Sequence, residues 1–346
     1  MDNRVCVLLV IVVVVFILKL PTSPTPTPTS WNNFEQAVSY KYSDVCEPTR
    51  DYFLFESQII SRKKKVGGDE FYVEALDAIG NTVAVAAVND LLNGRYNYSW
   101  IPLKTSFFTH VKLTTQYFCG KGFLFPPAKK NWTDGGSKIK SFLYNFSGHV
   151  YYTKTEFPRI ESLNTVAYGD SLMEQFVNDQ SVVFKKVQSR LTKTTLVSKF
   201  IKPIELLLKK NDKSDKIILN SGVWDLLENY KDVAFSQHTH AMEELLTHIQ
   251  RNHPTLQIIW KSMTAVHVHR CMCKTTQCSD RIKYMSSSRA KMLYSKQKKL
   301  LQKNFPTILF LDMYDYTFAN ANSTKILDGR HYQKSFNKKI WNRFFT

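Results

Sequence analysis

Short apolar runs alternate with longer amphipathic stretches through the second half of the chain. The runs are LNTVAY (163–168), KIILN (216–220), LQIIW (256–260) and TILFLD (307–312). Such short apolar runs are typical of parallel strands that are buried on both faces. The segments 241–252 and 288–304 between them have the spacing of amphipathic helices, with Lys and Arg on their solvated sides. Strands that alternate with helices predict a three-layer α/β domain, which we assign to 160–346.

Apolar runs in the first half are separated by frequent turn residues. Turn signals stand at 77–81 and 93–94, and RYNYSW (95–100) alternates in the manner of a half-buried strand. This pattern predicts an all-β sandwich over 46–120. We expect 121–159 to connect the two domains. Because no cluster of acids and bases stands out in the first half, we expect it to have a structural or recognition role.

The N-terminus combines an apolar stretch at 5–20 with a tract rich in Pro, Thr and Ser at 21–30. The apolar stretch is intermediate in length between a signal-peptide core and a full membrane span, and no small-residue cleavage site follows it. The tract resembles an O-glycosylated stalk. Together they predict a type II single-pass protein with a cytoplasmic tail at 1–4, a signal anchor at 5–20, and a stem and linker at 21–45. A cleaved signal and a secreted protein are the alternative.

Four N-glycosylation sequons agree with a lumenal location, for which we expect the Golgi. Their acceptors are Asn97, Asn131, Asn145 and Asn322. One of the six cysteines, Cys6, lies in the apolar stretch. The five others are Cys46, Cys119, Cys271, Cys273 and Cys278. Since five is an odd number, one thiol should be free or paired between chains, which leaves a disulfide-linked or other homo-oligomer open.

The segment HVHRCMCKTTQC contains side chains of the types that bind zinc. They are His267, His269, Cys271, Cys273 and Cys278. Neither their C-x-C nor their H-x-H spacing is usual for zinc. In an oxidising compartment a loop closed by a disulfide is the favoured interpretation, and we expect no metal.

The formal net charge is +18, but Lys and Arg are scattered along the chain. The longest basic cluster, SRKKKVGG, lies near residue 63. In a lumenal protein this charge favours solubility and attraction to anionic glycans or to a membrane surface. We therefore expect no nucleic-acid partner.

Three short blocks contain candidate chemistry. Gly169-Asp170-Ser171 follows the first apolar run, where the serine could be a nucleophile, although such a triplet alone is explained by turn chemistry. Asp328 precedes His331 by three residues, a spacing at which the carboxylate can hold the imidazole. Asn220 ends the second run; its amide could face the same crevice, or it could form an Asx turn. Ligands of such sheets bind beyond the carboxyl ends of the strands, where Ser171 is expected to lie.

These blocks, in this order, resemble the SGNH/GDSL hydrolase superfamily, specifically its PC-esterase branch. The matching residues are Gly169-Asp170-Ser171, Asn220-Ser221-Gly222 with Trp224, and Asp328-Gly329-Arg330-His331-Tyr332. The front half, from KKVGGDEFYVEAL to NGRYNYSWIPL, resembles the filamin-type immunoglobulin-like domain of the neurexophilin and PC-esterase (NXPE) family. This resemblance implies a Golgi or extracellular glycoprotein. Some members are carbohydrate O-acetyltransferases, and others have an activity that is unknown or lost.

The resemblance implies catalytic roles for four of the matched residues. Ser171 is the nucleophile, His331 the base and Asp328 its orienting acid, while the Ser171 N–H and Asn220 form the oxyanion hole. Two departures affect this assignment. No glycine lies between Ser171 and Gly222, so the second oxyanion amide must come from another residue. Glu174 stands where many PC-esterases carry arginine.

We therefore expect a lumenal carbohydrate O-acyltransferase, with acetyl as the expected acyl group and an acyl-serine intermediate. An O-acyl esterase that acts on a glycan or an ester lipid with the same triad is one alternative. A non-catalytic glycoprotein that binds a partner through its β-domain is another. We expect no permanently bound cofactor. The expected substrates are acetyl-CoA or another acyl donor, and a glycan or glycoprotein as acceptor. We expect the anchor to contact the membrane.

Overall fold

The computed structural model describes most of the chain after residue 51. The described residues are 52–54, 57–61, 70–91, 93–118, 137–153, 159–178, 180, 182–186, 197–228, 235–267, 270, 285, 287–325 and 329–346. The expected tail, anchor and stem lie outside them, as do Asp328, Asn131, His269 and all six cysteines. No helix within the described ranges is long and apolar enough to cross a membrane.

The N-terminal part is an antiparallel sheet. Its strands are β1 (Tyr52–Leu54), β2 (Gln58–Ser61), β3 (Glu70–Leu76), β4 (Thr82–Asp90), β5 (Arg95–Pro102), β6 (Ser106–Phe118) and β7 (Ser137–Val150). Their order is β1-β2-β5-β4-β3-β6-β7, and neighbours are antiparallel. Strand β5 alternates as expected, with Tyr96 and Tyr98 buried. The strands form one continuous seven-stranded sheet, so the expected two-sheet sandwich is not confirmed.

Strand β7 lies in the stretch 121–159, which we expected to connect the domains. It pairs with β6 along nearly its whole length, from Ser137 opposite Phe118 to Val150 opposite Ser106. Its side chains alternate between the buried face and solvent, with Phe142 and Val150 buried and Leu143 exposed. The sheet therefore continues beyond residue 120 because β7 completes the pairing of β6 and covers part of the same core.

The C-terminal part is an α/β domain. Its strands are β8 (Thr165–Gly169), β9 (Val183–Lys186), β10 (Lys216–Leu219), β11 (Gln257–Lys261) and β12 (Leu309–Leu311). Its helices are α1 (Ser171–Val177), α2 (Val197–Lys210), α3 (Val223–Glu228), α4 (Ser236–Asn252), α5 (Ser287–Asn304), α6 (Tyr314–Ala319) and α7 (Lys334–Phe344), with a 3-10 turn at Ala321–Ser323. The strand order is β12-β11-β10-β8-β9, and all pairs are parallel. The four predicted strands are confirmed, and β9 is an addition.

Both faces of the parallel sheet are covered by helices, as expected for a three-layer domain. Alternate residues of a strand face opposite sides, so each strand contributes to two cores. One core combines Tyr168, Leu219 and Trp260 with Phe200, Leu245, Ile249 and Leu301 from α2, α4 and α5. The other combines Ala167, Ile218 and Ile259 with Met173, Phe176, Ile340 and Trp341 from α1 and α7. This double burial explains the nearly continuous apolar runs of these strands.

The two parts share a third core. Val85 of β4 lies in it together with Leu172 of α1 and Met263, which follows β11. Tyr72 of β3 and Ile101 of β5 pack against its margin. Helices α5 and α6 contact β4, and 40–346 forms one compact unit. The N-terminal sheet therefore packs beside Ser171, since Leu172 is its neighbour in sequence.

We expect Val85→Asp to destabilise both parts of the protein together. Val85 is 1% exposed, and an uncompensated charge at a buried position costs on the order of 3–5 kcal/mol. Ile79→Asp is the control, because Ile79 lies in the β3–β4 turn and is 84% exposed. Urea unfolding followed by tryptophan fluorescence measures both variants. Equal midpoints for the two variants would contradict the shared core.

Candidate active site

Ser171 is the first residue of α1, directly after strand β8. Asp170 caps this helix, since its Oδ1 accepts hydrogen bonds from the amides of Leu172 at 2.9 Å and Met173 at 3.4 Å. An aspartate at this position satisfies amides that have no partner within the helix. The cap sets the turn from strand to helix, and it leaves Ser171 partly exposed at the carboxyl edge of the sheet.

Gly169 allows the first and second predicted blocks to approach each other closely. A Cβ atom on Gly169 would lie 2.8 Å from Asn220 Oδ1 and 2.7 Å from Met173 Cβ. The backbone N–H of Asn220 also donates to Tyr168 O at 3.3 Å. A residue larger than glycine would displace either Asn220 or the first turn of α1. The glycine is therefore required by a contact between two strand ends as well as by turn chemistry.

His331 meets Ser171 across 160 residues of sequence, with Ser171 Oγ 3.0 Å from His331 Nε2. This is the distance expected of a nucleophile and its general base. His331 lies before α7 and is partly exposed. Asp328 lies outside the described residues, so its contact with His331 stays a prediction. The described residues thus bring together the serine and the histidine of the expected triad.

Asn220 is buried at the end of β10, in a turn that an internal polar network holds in place. Ser221 Oγ donates to Asp225 Oδ2 at 3.2 Å, and Asp225 Oδ2 lies 3.2 Å from His238 Nδ1. Gln297 Nε2 donates to Ser221 O at 2.9 Å and lies 3.0 Å from His238 Nε2. No sequence pattern indicates that Asp225, His238 and Gln297 support this turn, because they come from three different helices.

Gly222 completes the same turn with a φ of +140°, a conformation that favours glycine. A Cβ atom there would also lie 2.7 Å from Met263 Sδ. The turn therefore depends on glycine both for its backbone and for its packing. Asn220 lies next to Gly169, but its role as an oxyanion donor stays a prediction.

Asp170, which precedes the serine, and Lys261, which ends β11, are both buried and interact electrostatically. Asp170 is fully buried, and this burial raises its pKa, while the Lys261 charge and the helix amides act in the opposite direction. Burial lowers the pKa of Lys261 to about 8, an effect that Asp170 opposes. Lys261 Nζ donates to Ser262 O at 3.4 Å. Sequence reasoning missed Lys261, although a lysine at the end of the apolar strand QIIWK was a usable signal.

His267 belongs to the active-site region rather than to a surface loop. Its backbone N–H donates to Gly329 O at 2.7 Å, and its Nε2 lies 3.1 Å from both Thr317 O and Tyr332 Oη. Burial lowers the pKa of His267 to about 4. His269 and the three cysteines of the segment for which we expected a disulfide lie outside the described residues. Among described residues, no group of three or more His, Cys, Asp and Glu side chains could hold a metal ion.

Glu174, which stands where the resemblance expects arginine, is about half exposed. Its Oε2 forms an ion pair with Lys186 Nζ of β9 at 2.7 Å. Exposed pairs of this kind contribute little to stability. The stretch 187–196 after β9 lies outside the described residues, so a donor that replaces the missing oxyanion glycine stays a prediction.

We expect Gly169→Ala to impair the serine strongly, because the new methyl group displaces Asn220 or α1. Misplacement of about 1 Å in an active site can cost on the order of 10²-fold in rate. The rate at which a fluorophosphonate labels Ser171 measures this effect. Gly80→Ala is the control, since its Cβ would meet nothing within 4 Å, although Gly80 has a φ of +85° and Gly169 has no positive φ. Labelling of Gly169→Ala at the control rate would show that the close approach is not needed.

No protein-family model and no curated protein matches the chain. Solved structures similar to about half of it include an acetyl xylan esterase, AlAXEase, at 13% identity, covering 52% of this chain and 96% of that one, with a TM-score of 0.36. A carbohydrate acetylesterase family member from Sinorhizobium meliloti is 16% identical, covers 51% and 93%, and has a TM-score of 0.37. The lipase/acylhydrolase from Enterococcus faecalis is 12% identical, covers 52% and 92%, and has a TM-score of 0.36. These neighbours are named as acylhydrolases and acetylesterases; the fold and site of this chain are assigned on the strand order and geometry described above.

Proposed function

We propose that this protein is a carbohydrate O-acyltransferase that works through an acyl-serine, with acetyl as the transferred group. The observation that carries the proposal is the 3.0 Å separation of Ser171 Oγ and His331 Nε2 at the carboxyl edge of a parallel sheet. A serine far from the histidine would have favoured a non-catalytic binding protein. The carbohydrate acceptor rests on the resemblance of the sequence to the NXPE family.

The first half-reaction forms the acyl-serine. His331 Nε2 takes the proton of Ser171 Oγ, and the oxygen attacks the acyl carbon of the donor. Asp328 holds the imidazole and stabilises its protonated form. The Ser171 N–H and Asn220 donate to the oxyanion of the tetrahedral intermediate. The intermediate then collapses, and His331 returns the proton to the leaving group, which is a thiol if the donor is acetyl-CoA.

The second half-reaction transfers the acyl group. His331 takes a proton from a sugar hydroxyl, whose oxygen attacks the acyl-serine carbonyl and releases Ser171 with its proton restored. Attack by water would give hydrolysis with the same residues. Ser171 and His331 are both partly exposed, so the esterase is the second candidate. Transfer requires the bound acceptor to keep water away from the acyl-serine.

The setting of this reaction follows from the N-terminal sequence. We place the protein in the Golgi lumen, anchored through 5–20, with secretion as the alternative. The acyl donor is a substrate and not a resident cofactor. The acceptor is a glycan or glycoprotein, nucleic acid is not a partner, and a homo-oligomer linked by the odd cysteine stays open.

The test is transfer from a labelled acyl donor. Purified full-length protein is incubated with labelled acetyl-CoA and a panel of glycans, and label in glycan and in free acetate is measured. Label in glycan supports the transferase, and label in acetate alone supports the esterase. A second assay measures the release of acetate from pre-acetylated glycans, which detects an esterase that does not use acetyl-CoA. No turnover with any of these substrates, and no labelling of Ser171 by a fluorophosphonate, would favour the binding protein.

We expect Ser171→Ala and His331→Ala each to abolish turnover to a similar degree, and the double variant to lose little more, because members of a triad act as a unit. Asp328→Asn should also be severe, since it can hold the ring in the wrong tautomer. Asn220→Ala should raise the barrier by about 2.7–4 kcal/mol if its amide is an oxyanion donor. Steady-state kinetics measures all five variants after circular dichroism has confirmed their folding. Full activity of folded Ser171→Ala would eliminate the covalent mechanism.

The glycosylation proposal distinguishes among the described sequons. Asn97 on β5, Asn145 on β7 and Asn322 are all exposed, but the Oδ1 of Asn322 accepts a 2.8 Å hydrogen bond from Arg270 Nη1. A glycan on Asn322 would have to be accommodated beside this bond. We therefore expect Asn97→Gln and Asn145→Gln each to reduce the glycosidase-induced gel shift of protein from animal cells, and Asn322→Gln to leave it unchanged. No shift in the wild type would contradict a lumenal location.

A further inference from the structure

The backbone of His267 contacts the segment that carries His331. Residues 262–267 continue from β11 along the carboxyl edge of the sheet. The His267 N–H donates to Gly329 O at 2.7 Å, two residues before His331. Gly329 has a φ of +60°, so the chain turns sharply at the point where this bond holds it. The bond ties the start of the His331 segment to the end of β11.

The side chain of His267 contacts Tyr332, the residue that follows His331. Its Nε2 lies 3.1 Å from Thr317 O of α6 and 3.1 Å from Tyr332 Oη. Because a carbonyl oxygen can only accept, Nε2 carries the proton, and the imidazole is a donor at this position. The Tyr332 hydroxyl in turn lies 3.1 Å from Ala265 O and from Thr317 O, to one of which it donates. Tyr332 is therefore held from the same side as Gly329, with His331 between them.

The N-terminal sheet covers this contact. The Tyr72 ring of β3 meets the His267 ring edge-on, with centroids 6.5 Å apart, and the Phe318 ring lies 5.6 Å from His267. His267 is 0% exposed. A hydrogen bond shielded from water in this way is stronger than one at the surface. Tyr72 of the sheet thus contributes to the burial of His267, which contacts the residues on both sides of His331.

We propose that His267 is a positioning residue that holds the His331 segment in place through Gly329 and Tyr332, and that the N-terminal sheet protects this contact from water. The proposal rests on the proposed function in one respect, since it takes His331 as the catalytic base. His267 itself does not reach Ser171; it acts through its neighbours. The N-terminal sheet is accordingly a part of the catalytic structure.

The contact should weaken in acid. The titratable groups that face His267 in the described part of the chain are Tyr72, Tyr332 and Arg270, none of which offers a negative charge at neutral pH. Burial and the Arg270 charge hold the pKa of His267 at about 4, below its usual 6.5. The unfolded chain therefore binds this proton first. Stability is complete above about pH 6.5, falls as the pH drops towards 4, and changes no further through this group below that.

Two substitutions of His267 distinguish the role of its hydrogen-bond donor, Nε2–H, from the role of its side-chain volume. His267→Gln can place an amide N–H near the position of Nε2 but cannot titrate, whereas His267→Phe keeps a ring and removes the donor. We expect His267→Phe to slow fluorophosphonate labelling of Ser171 by about tenfold or more, which corresponds to about 1.4 kcal/mol. His267→Gln should retain labelling within a few-fold. His240→Gln is the control, because His240 is exposed on α4.

Hydrogen exchange and thermal melting test the positioning role without any activity. In His267→Phe, the amides of residues 329–332 should exchange faster, while those of β10 stay protected. The melting temperature of the wild type should fall more between pH 7 and pH 5 than that of His267→Gln. Tyr332→Phe, which removes the hydroxyl near His267 Nε2, should reproduce the faster exchange at residues 329–332. It replaces His267→Phe in this test if His267→Phe does not fold.

These measurements separate the two proposals. Absence of labelling in the wild type would count against the proposed function alone, because exchange and melting still report on the segment. Unchanged exchange at 329–332 in both His267→Phe and Tyr332→Phe would overturn the positioning role. Equal pH dependence of melting in the wild type and His267→Gln would overturn the acid sensitivity.

Discussion

The approach of Ser171 to His331 depends on one constraint: loops that follow different strands must meet at one edge of a parallel sheet. The register of β8 with β10 brings Gly169 beside Asn220, and a Cβ atom on Gly169 would lie less than 3 Å from Asn220 Oδ1, which leaves no room for a side chain. The cap formed by Asp170 then directs α1 away from the strand, so that Ser171 faces the crevice. A serine between a strand end and a helix start is held by rigid elements on both sides, which fixes its position.

The arrangement around Ser171 places polar and charged side chains at buried positions, where their removal from water costs free energy. Asp170, Asp225, His238 and Lys261 are all buried at or near the sheet edge. Isolated buried charges cost several kcal/mol, and they persist only where charges or hydrogen-bond donors compensate them. Asp170 is compensated by helix amides and by the charge of Lys261, and Asp225 by the Ser221 hydroxyl and His238. These four side chains order the loops around Ser171, which explains why several polar groups are buried close to one site.

The N-terminal sheet contributes to the same site. Val85 and Tyr72 pack against residues next to Ser171 and His331, so the folding of the two parts is coupled. The sheet covers His267, and through it the segment that carries His331. The β-domain, whose strand pattern predicts a separate recognition module, thus shares a hydrophobic core with the segment that follows β11.

The sequence by itself determined the α/β class, four of the five parallel strands, and the serine and histidine of the site. Apolar runs and turn residues are local signals, and double burial leaves its mark on each strand directly. Strand β9 is short and mixes polar with apolar residues, and a long segment separates β7 from β6, so neither strand was predicted from its local sequence. Only the tertiary structure decided that His267 contacts the His331 segment, that Lys261 and Asp170 interact electrostatically, and that Asp225, His238 and Gln297 support the turn at Asn220. Each of these depends on residues from different elements whose distance and burial are set by packing, and a sequence pattern records neither.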